Sequence, residues 1–376
     1  MVKITFVSVV PSPYQRDLFE AIHSLDDVEL SVYYLEAAAP DSPWPAAELR
    51  DWEKVLPGWC AGKGRVRSHC NWQLPDLPYE DVVVVNTALT DITTQRLLRR
   101  GARSAKRSSG AKWLFWGELM RSSGGLAGAL RNQLSKPLAK VNGIVAIGSV
   151  AAREYQSRFP DQTVYQLPYY CDIQPFIDAD KDRSKTAQND GALNFLFCGQ
   201  MIYRKGVDLL LGSFDRICNS GINATLTLVG REAELPNWLE GLGRSTKERI
   251  DVVGFKAVEE LPKIFAQADV FVLPSRHDGW GVVVNQAVAA GLPVISTNRV
   301  GAAADLLQHE TNGLIVDAGD GQQLEKAMRR LAENQKLREQ MKTKNRLDRS
   351  SLLPQSGATR WVEIFERVLA NGAIVQ

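Results

Sequence analysis

The sequence predicts an α/β fold of two domains, each built on a mostly parallel sheet covered on both faces by helices. Two observations carry this reading. Short apolar runs alternate with longer segments of helical period along most of the chain, which is the punctuation of β-α-β units. At 376 residues the chain also exceeds what one hydrophobic core usually organises, and the alternation breaks once, after Asp172, into a stretch of Asp, Lys, Gln and Asn with little to bury.

The first domain is placed at residues 1–172. Met1–Val10 carries one Lys and then an apolar run that stops at Pro11, too brief for a secretory leader, so Ile4–Val10 is expected to be a buried first strand. Tyr14–Leu25 follows with helical period, then strand Val28–Leu35; Val82–Val85, Lys112–Trp116 and Gly143–Ile147 are the later strands. Residues 173–190 read as an interdomain linker. The second domain, 191–353, repeats the pattern with strands Leu193–Cys198, Thr225–Val229, Ile250–Val253, Val270–Leu273 and Pro293–Ser296. Its helices are Asp208–Cys218, Val258–Ala266 and Val282–Ala290. The tail, 354–376, holds a helix Ala358–Ala370 after Pro354, expected to pack back toward the first domain. Sheets of this kind bind ligands beyond the carboxyl ends of their strands, and two of them joined by a linker are expected to face each other across a cleft.

Composition narrows the function classes. Apolar residues make up 44% and charged residues 23%, inside the range of chains that fold unaided. Lys and Arg number 45 against 43 Asp and Glu, a net +2 that offers no whole-molecule field for nucleic acid. Five scattered cysteines without a Cys-x-x-Cys pair fit a reducing, cytoplasmic setting. Cys60, His69 and Cys70 come nearest to a metal cluster, but adjacent His-Cys ligands suit a tetrahedral ion poorly and a fourth ligand is missing, so no metal is expected. No run approaches the 18 or so apolar residues that span a bilayer.

The most informative run is Pro274-Ser275-Arg276-His277-Asp278-Gly279-Trp280-Gly281, continuing through Val282 and Gln286 to Gly291-Leu292-Pro293-Val294-Ile295. It follows a buried strand and opens a helix. Gly279 and Gly281 let the backbone turn and approach a ligand, and the helix beginning near Gly281 presents N–H groups at its positive end, a seat for phosphate. Asp278 stands at the mouth of that seat, suited to a sugar, and Gln286 lies two turns along, leaning back toward a ribose. An ordinary corner in which Asp278 merely caps the helix has the same residues. Trp280 either packs under the loop or flanks the sugar, packing being favoured.

The run resembles the donor-binding signature of retaining glycosyltransferases of family 4, the glycosyl transferases group 1, which have the GT-B fold of two Rossmann-like domains. Asp278-Gly279-Trp280-Gly281 and Gln286-Ala287-Val288-Ala289-Ala290-Gly291-Leu292-Pro293-Val294-Ile295 occupy the signature's positions. Gly301 with Asp305, and Asn312-Gly313-Leu314-Ile315-Val316, match its downstream spacing. Upstream, Phe197-Cys198-Gly199-Gln200-Met201-Ile202-Tyr203-Arg204-Lys205-Gly206 looks like the strand and loop bearing the family's phosphate-binding Arg and Lys. The resemblance implies a hexosyltransferase using a nucleoside-diphosphate sugar, with Lys205, Arg204 and Asp278 as catalytic residues. It implies donor contacts from Gly199, Gln200, Gly254, Phe255, Gly279, Trp280, Gly281, Val282 and Gln286, the Gly254-Phe255 pair at the nucleobase edge. It also implies same-face attack with no covalent nucleophile, and neither metal nor cofactor. Three positions depart from the family: Asp278 replaces Glu, Gln286 replaces the second acid, and Gln200 replaces an Arg, leaving Lys205 and Arg204 to neutralise the diphosphate. Glu118, in Trp116-Gly117-Glu118, takes the place of a His near the transferred sugar.

On the acceptor side, Pro13-Tyr14-Gln15-Arg16 starts the first helix, where Tyr14 and an exposed Arg16 could meet an acidic or phosphate-bearing acceptor, or be a plain helix start. Between residues 96 and 140 there are eleven basic side chains and one acid, Glu118. Within that segment Leu126, Leu130 and Leu134 share a helical face beside Arg131 and Lys136. Core-facing leucines are weighed slightly ahead of contact with an anionic membrane. The expected partners are therefore a nucleoside-diphosphate sugar, a saccharide or lipid-linked acceptor and the inner membrane face, not nucleic acid. Two rivals stand beside this reading: a nucleotide-sugar 2-epimerase of the same architecture, and a catalytically silent saccharide-binding protein. Hydride transfer ranks last, since the first strand leads to Pro11-Ser12-Pro13 rather than a glycine-rich turn.

Overall fold

A computed structural model describes residues 1–38, 47–63, 66–74, 77, 81–105, 110–120, 124–183 and 191–370. They form two units, one of Met1–Cys171 with Pro354–Gln376, the other of Asp172–Leu353.

The first unit runs β1 (Val2–Ser8), α1 (Pro13–His23), β2 (Val28–Tyr34), β3 (Glu53–Val55), β4 (Gly58–Lys63), β5 (Val66–Asn71), β6 (Val82–Asn86), α2 (Ile92–Ser104), β7 (Lys112–Gly117), α3 (Gly125–Ser135), β8 (Gly143–Ile147), α4 (Ser149–Arg158) and β9 (Val164–Leu167). Seven strands make one parallel sheet in the order β3-β2-β1-β6-β7-β8-β9, while β4 and β5 pair as a separate antiparallel hairpin. The near-continuous apolar runs of β1, β6 and β8 suit strands covered on both faces. The order turns back between β1 and β6, so the loops after those two strands lead away in opposite directions.

The second unit runs α5 (Gln174–Arg183), β10 (Leu193–Cys198), α6 (Val207–Asn219), β11 (Ala224–Val229), α7 (Leu235–Leu239), α8 (Arg244–Lys247), β12 (Ile250–Gly254), α9 (Leu261–Ala266), β13 (Val270–Leu273), α10 (Val283–Ala289), β14 (Val294–Thr297), α11 (Gly301–Leu306), β15 (Gly313–Val316), α12 (Gly321–Glu333) and α13 (Gln335–Asp348). Its six parallel strands lie in the order β12-β11-β10-β13-β14-β15, with the reversal between β10 and β13. The final helix, α14 (Pro354–Ala370), belongs to the first unit. Trp361 is fully buried there, its ring 5.2 Å from Phe6 and 5.3 Å from Trp116. Gly357 permits that approach, because a Cβ would sit 2.6 Å from the Tyr170 ring.

Three expectations are corrected. The stretch 173–190 is not a linker over its described part: α5 buries Phe176 against Phe265, ring centres 5.2 Å apart. Residues 184–190 lie outside the described residues. Asp180, in the polar stretch expected to have little to bury, is itself buried and held by Arg346 at 2.7 and 2.9 Å and by Arg349 at 2.7 Å. The leucine face of α3 does not point to the core: Leu126 is 92% and Leu130 59% exposed. Of the basic segment, Lys106, Arg107 and Arg121 lie outside the described residues.

Arg16 is likewise not an exposed acceptor contact. Its guanidinium grips Glu53 through Nε at 2.8 Å and Nη2 at 2.6 Å, and donates to the Glu48 carbonyl. Glu53 is buried and also accepts from the Tyr34 hydroxyl at 2.7 Å and the Arg50 N–H at 3.0 Å. Burial alone would raise the carboxyl pKa, but these donors together hold it below its ordinary 4.5. A depressed carboxyl contributes stability above its unfolded pKa and loses it as pH falls through the folded value. Glu53→Gln should therefore destabilise the protein by about 3 kcal/mol near neutrality, the scale of a broken buried pair. In denaturant melts against pH, the gap from the parent should narrow below about pH 4.5; a constant gap would show that the ion pair is not the cause.

Candidate functional site

The candidate site lies at the reversal of the second sheet, where the loop after β10 and the loop after β13 leave adjacent strands. Gly199 follows β10; Gln200 is exposed; Tyr203–Lys205 make one 3-10 turn that leads through Gly206 into α6. Gly206 has φ +71°, and a Cβ on it would lie 2.0 Å from the Pro274 carbonyl oxygen. The two loops therefore touch backbone to backbone.

That contact brings the three expected catalytic residues together. Lys205 Nζ hydrogen-bonds Asp278 Oδ2, and both side chains are largely shielded. Arg204 Nη1 donates to the His277 carbonyl at 2.8 Å and lies 3.9 Å from Asp278 Oδ1. Two cations thus converge on one carboxylate, as fixed charge placed where an anion could dock. Asp278 is buried and tied through its backbone to Arg299 and Gly301.

The glycine loop leads into α10 through Val282. The first N–H groups of a helix have no partner within it and favour an anion, and Gly279, Gly281 and Val282 lie just before the first turn of α10. Trp280 is buried at 2% exposure and donates its indole N–H to Asn285 at 2.9 Å, so it packs under the loop and does not flank a sugar. Gln286 is fully buried, and neither its amide oxygen nor its nitrogen has a hydrogen-bond partner among the described residues. Such a group costs about 1–3 kcal/mol until something meets it. Gly254 ends β12 on the same carboxyl edge of the sheet, and Phe255 beyond it is 43% exposed.

Some supporting residues escaped the sequence reading. Arg276 braces the two loops: it pairs bidentately with Asp208 at 2.7 Å, donates to the Tyr203 carbonyl at 2.6 Å and stacks on the Tyr203 ring at 3.7 Å. Asp208, in the first turn of α6, was the available signal. Ser275 is buried, and its hydroxyl has no hydrogen-bond partner among the described residues. In the first unit, Tyr14 is half-buried on α1, and Glu118 is exposed just past β7, its carbonyl accepting from the Tyr155 hydroxyl.

Residues 178–348 match the family described as Glycosyl transferases group 1. An uncharacterized glycosyltransferase of Methanocaldococcus jannaschii is 32% identical over 136 residues, 36% of this chain and 34% of its own length. A GDP-mannose-dependent α-(1-6)-phosphatidylinositol monomannoside mannosyltransferase of Mycobacterium tuberculosis is 35% identical over 127 residues, 31% of this chain and 32% of its own. The alignments thus span about a third of these relatives. Among solved structures, the Anabaena protein HepE in complex with UDP superposes with a TM-score of 0.71 at 15% identity, covering 98% of this chain and 100% of that one. At that identity the likeness shows the fold, GT-B with its two Rossmann-like domains.

Proposed function

We propose, from the match of residues 178–348 to the family described as Glycosyl transferases group 1, that the protein is a retaining hexosyltransferase. It moves a sugar from a nucleoside diphosphate to a saccharide or lipid-linked saccharide during glycan assembly. The observation that carries the reading is the convergence of Lys205 and Arg204 on Asp278 at the reversal between β10 and β13. In the proposed step the bond from the anomeric carbon to the phosphate oxygen breaks, its electron pair leaving on the diphosphate. Lys205, Arg204 and the N–H groups at the start of α10 take up that charge, without need of a metal. The acceptor oxygen bonds to the same face of the anomeric carbon, and its proton goes to the departing phosphate. Asp278 holds Lys205 in place before the donor arrives and then accepts from sugar hydroxyls. Gln286 meets the ribose and Phe255 the base. Glu118 and Tyr14 are assigned to the acceptor side.

HepE's complex with UDP and the GDP-mannose dependence of the mycobacterial relative support a nucleotide-sugar donor. A panel of UDP- and GDP-sugars, read by nucleotide release with and without saccharide acceptors, tests the reading. Acceptor-dependent release with a product of unchanged anomeric configuration supports it; release without acceptor identifies an epimerase, and binding without turnover a silent binding protein.

The membrane contact belongs to the same proposal. Exposed Leu126 and Leu130 beside Arg131 and Lys136 present an apolar strip flanked by positive charge, suited to the inner face of an anionic bilayer. The chain should sediment with anionic liposomes at low salt and less at high salt; no sedimentation in either condition removes this part.

A further inference from the structure

In the first unit, three side chains far apart in sequence meet near the carboxyl edge of the sheet. They are Glu36, two residues past β2, Cys60 on β4, and His69, its cross-strand partner on β5. One ligand atom from each lies within 4.8 Å of the others. We infer that Glu36 Oε1, Cys60 Sγ and His69 Nε2 bind a divalent transition-metal ion of the zinc type.

The geometry of His69 points this way. The residue is 4% exposed, and Asp91 Oδ1, also buried, lies 3.0 Å from Nδ1 while accepting the His69 backbone N–H at 3.0 Å. A proton on Nδ1 shared with that carboxylate leaves the lone pair on Nε2, the orienting contact that metal-binding histidines ordinarily have. Nε2 lies 3.1 Å from Glu36 Oε1, and among the described residues neither atom has an aligned hydrogen-bond partner. Two shielded polar atoms thus face one point at ion-pair distance without an aligned hydrogen bond between them. Arg67 Nη2 holds the second oxygen of Glu36 at 2.5 Å, which orients Oε1.

Donor chemistry selects the ion. Thiolate, imidazole and carboxylate together favour zinc-like metals over magnesium or calcium. With Cys60 ionised, Glu36, Cys60 and Asp91 carry three negative charges against the one positive charge of Arg67, which leaves two for a divalent ion. Glu36 and Cys60 are only half-buried, so the fourth position opens to water. Cys70 is not a ligand, because adjacent residues of a strand point to opposite faces. The ion ties the β4–β5 hairpin to the chain just past β2, and it is independent of the transfer chemistry in the second unit.

The test titrates chelator-treated full-length protein with Co2+ and, by calorimetry, with Zn2+. One equivalent should bind, with a thiolate-to-cobalt charge-transfer band in the near ultraviolet. Cys60→Ser should abolish the band and Cys70→Ser should keep it. Asp91→Asn should weaken binding about 10–100-fold, the scale of lost outer-shell support. Glu36→Gln, on a half-buried site that tolerates the change, should weaken it as well, and far-ultraviolet circular dichroism of each variant verifies folding. A band that survives Cys60→Ser, affinity unchanged in a folded Glu36→Gln variant, or no saturable binding of either ion overturns the assignment.

Discussion

Replacing Lys205 by Gln should lower kcat/KM for sugar transfer by about 10²–10³-fold, the usual scale for removing one preorganised donor to a developing anion. The geometry makes the loss larger than that of an exposed lysine. Lys205 is anchored by a single 3-10 turn between β10 and α6 and is in contact with Asp278, so its charge is already in position when the donor arrives. Removing it also leaves the Asp278 carboxylate without its nearest counter-ion beside an incoming diphosphate, which adds repulsion to the missing attraction. Nucleoside-diphosphate affinity, measured by calorimetry on the folded variant, should fall about tenfold or more. If transfer survives at parental rates, the pair is a structural tie and the proposed donor site is wrong. If the variant melts far below the parent, Asp278→Asn gives the complementary reading, since it removes the carboxylate and leaves the cations.

What could be read in the sequence follows the range of the forces concerned. The strands and the run from Pro274 to Ile295 are local patterns: apolar residues in sequence, glycines at set spacing, a helix start. These were legible. The hairpin β4–β5 was not, because Gly58-Trp59-Cys60-Ala61-Gly62-Lys63 has no apolar alternation and pairs away from the main sheet. Arg16 looked exposed because its partner Glu53 lies 37 positions on, across a loop that sequence does not close. The linker reading failed at α5 for a similar reason. Phe176, Ile177 and Asp180 sit among polar neighbours, and what buries Asp180 is a pair of arginines from 166 and 169 positions later. In the candidate site, Lys205 and Asp278 were each legible from their motifs, but the Arg276–Asp208 brace that aligns the two loops was not. The partner choices of charged residues lie in the tertiary fold.

That brace and the close contact beneath it motivate the second large effect. Gly206→Ala should destabilise the second unit by about 2–5 kcal/mol, combining a left-handed backbone penalty with overpacking. A Cβ there would lie 2.0 Å from the Pro274 carbonyl oxygen, a backbone atom that cannot rotate away, so the β10 and β13 loops must separate. Separation draws Lys205 from Asp278, and nucleotide affinity should fall along with stability. Gly221→Ala isolates the cause. Gly221 also has a positive φ, +85°, but nothing lies within 4 Å of its added Cβ, so only the backbone penalty of about 1–2 kcal/mol applies. Denaturant melts of both variants, with nucleotide binding measured on the folded fraction, should show Gly221→Ala mildly destabilised with binding intact. Gly206→Ala should be impaired in both measurements. Equal losses of stability in the two variants would mean that backbone conformation alone accounts for Gly206, and the loop contact would then not be what holds the cations over Asp278.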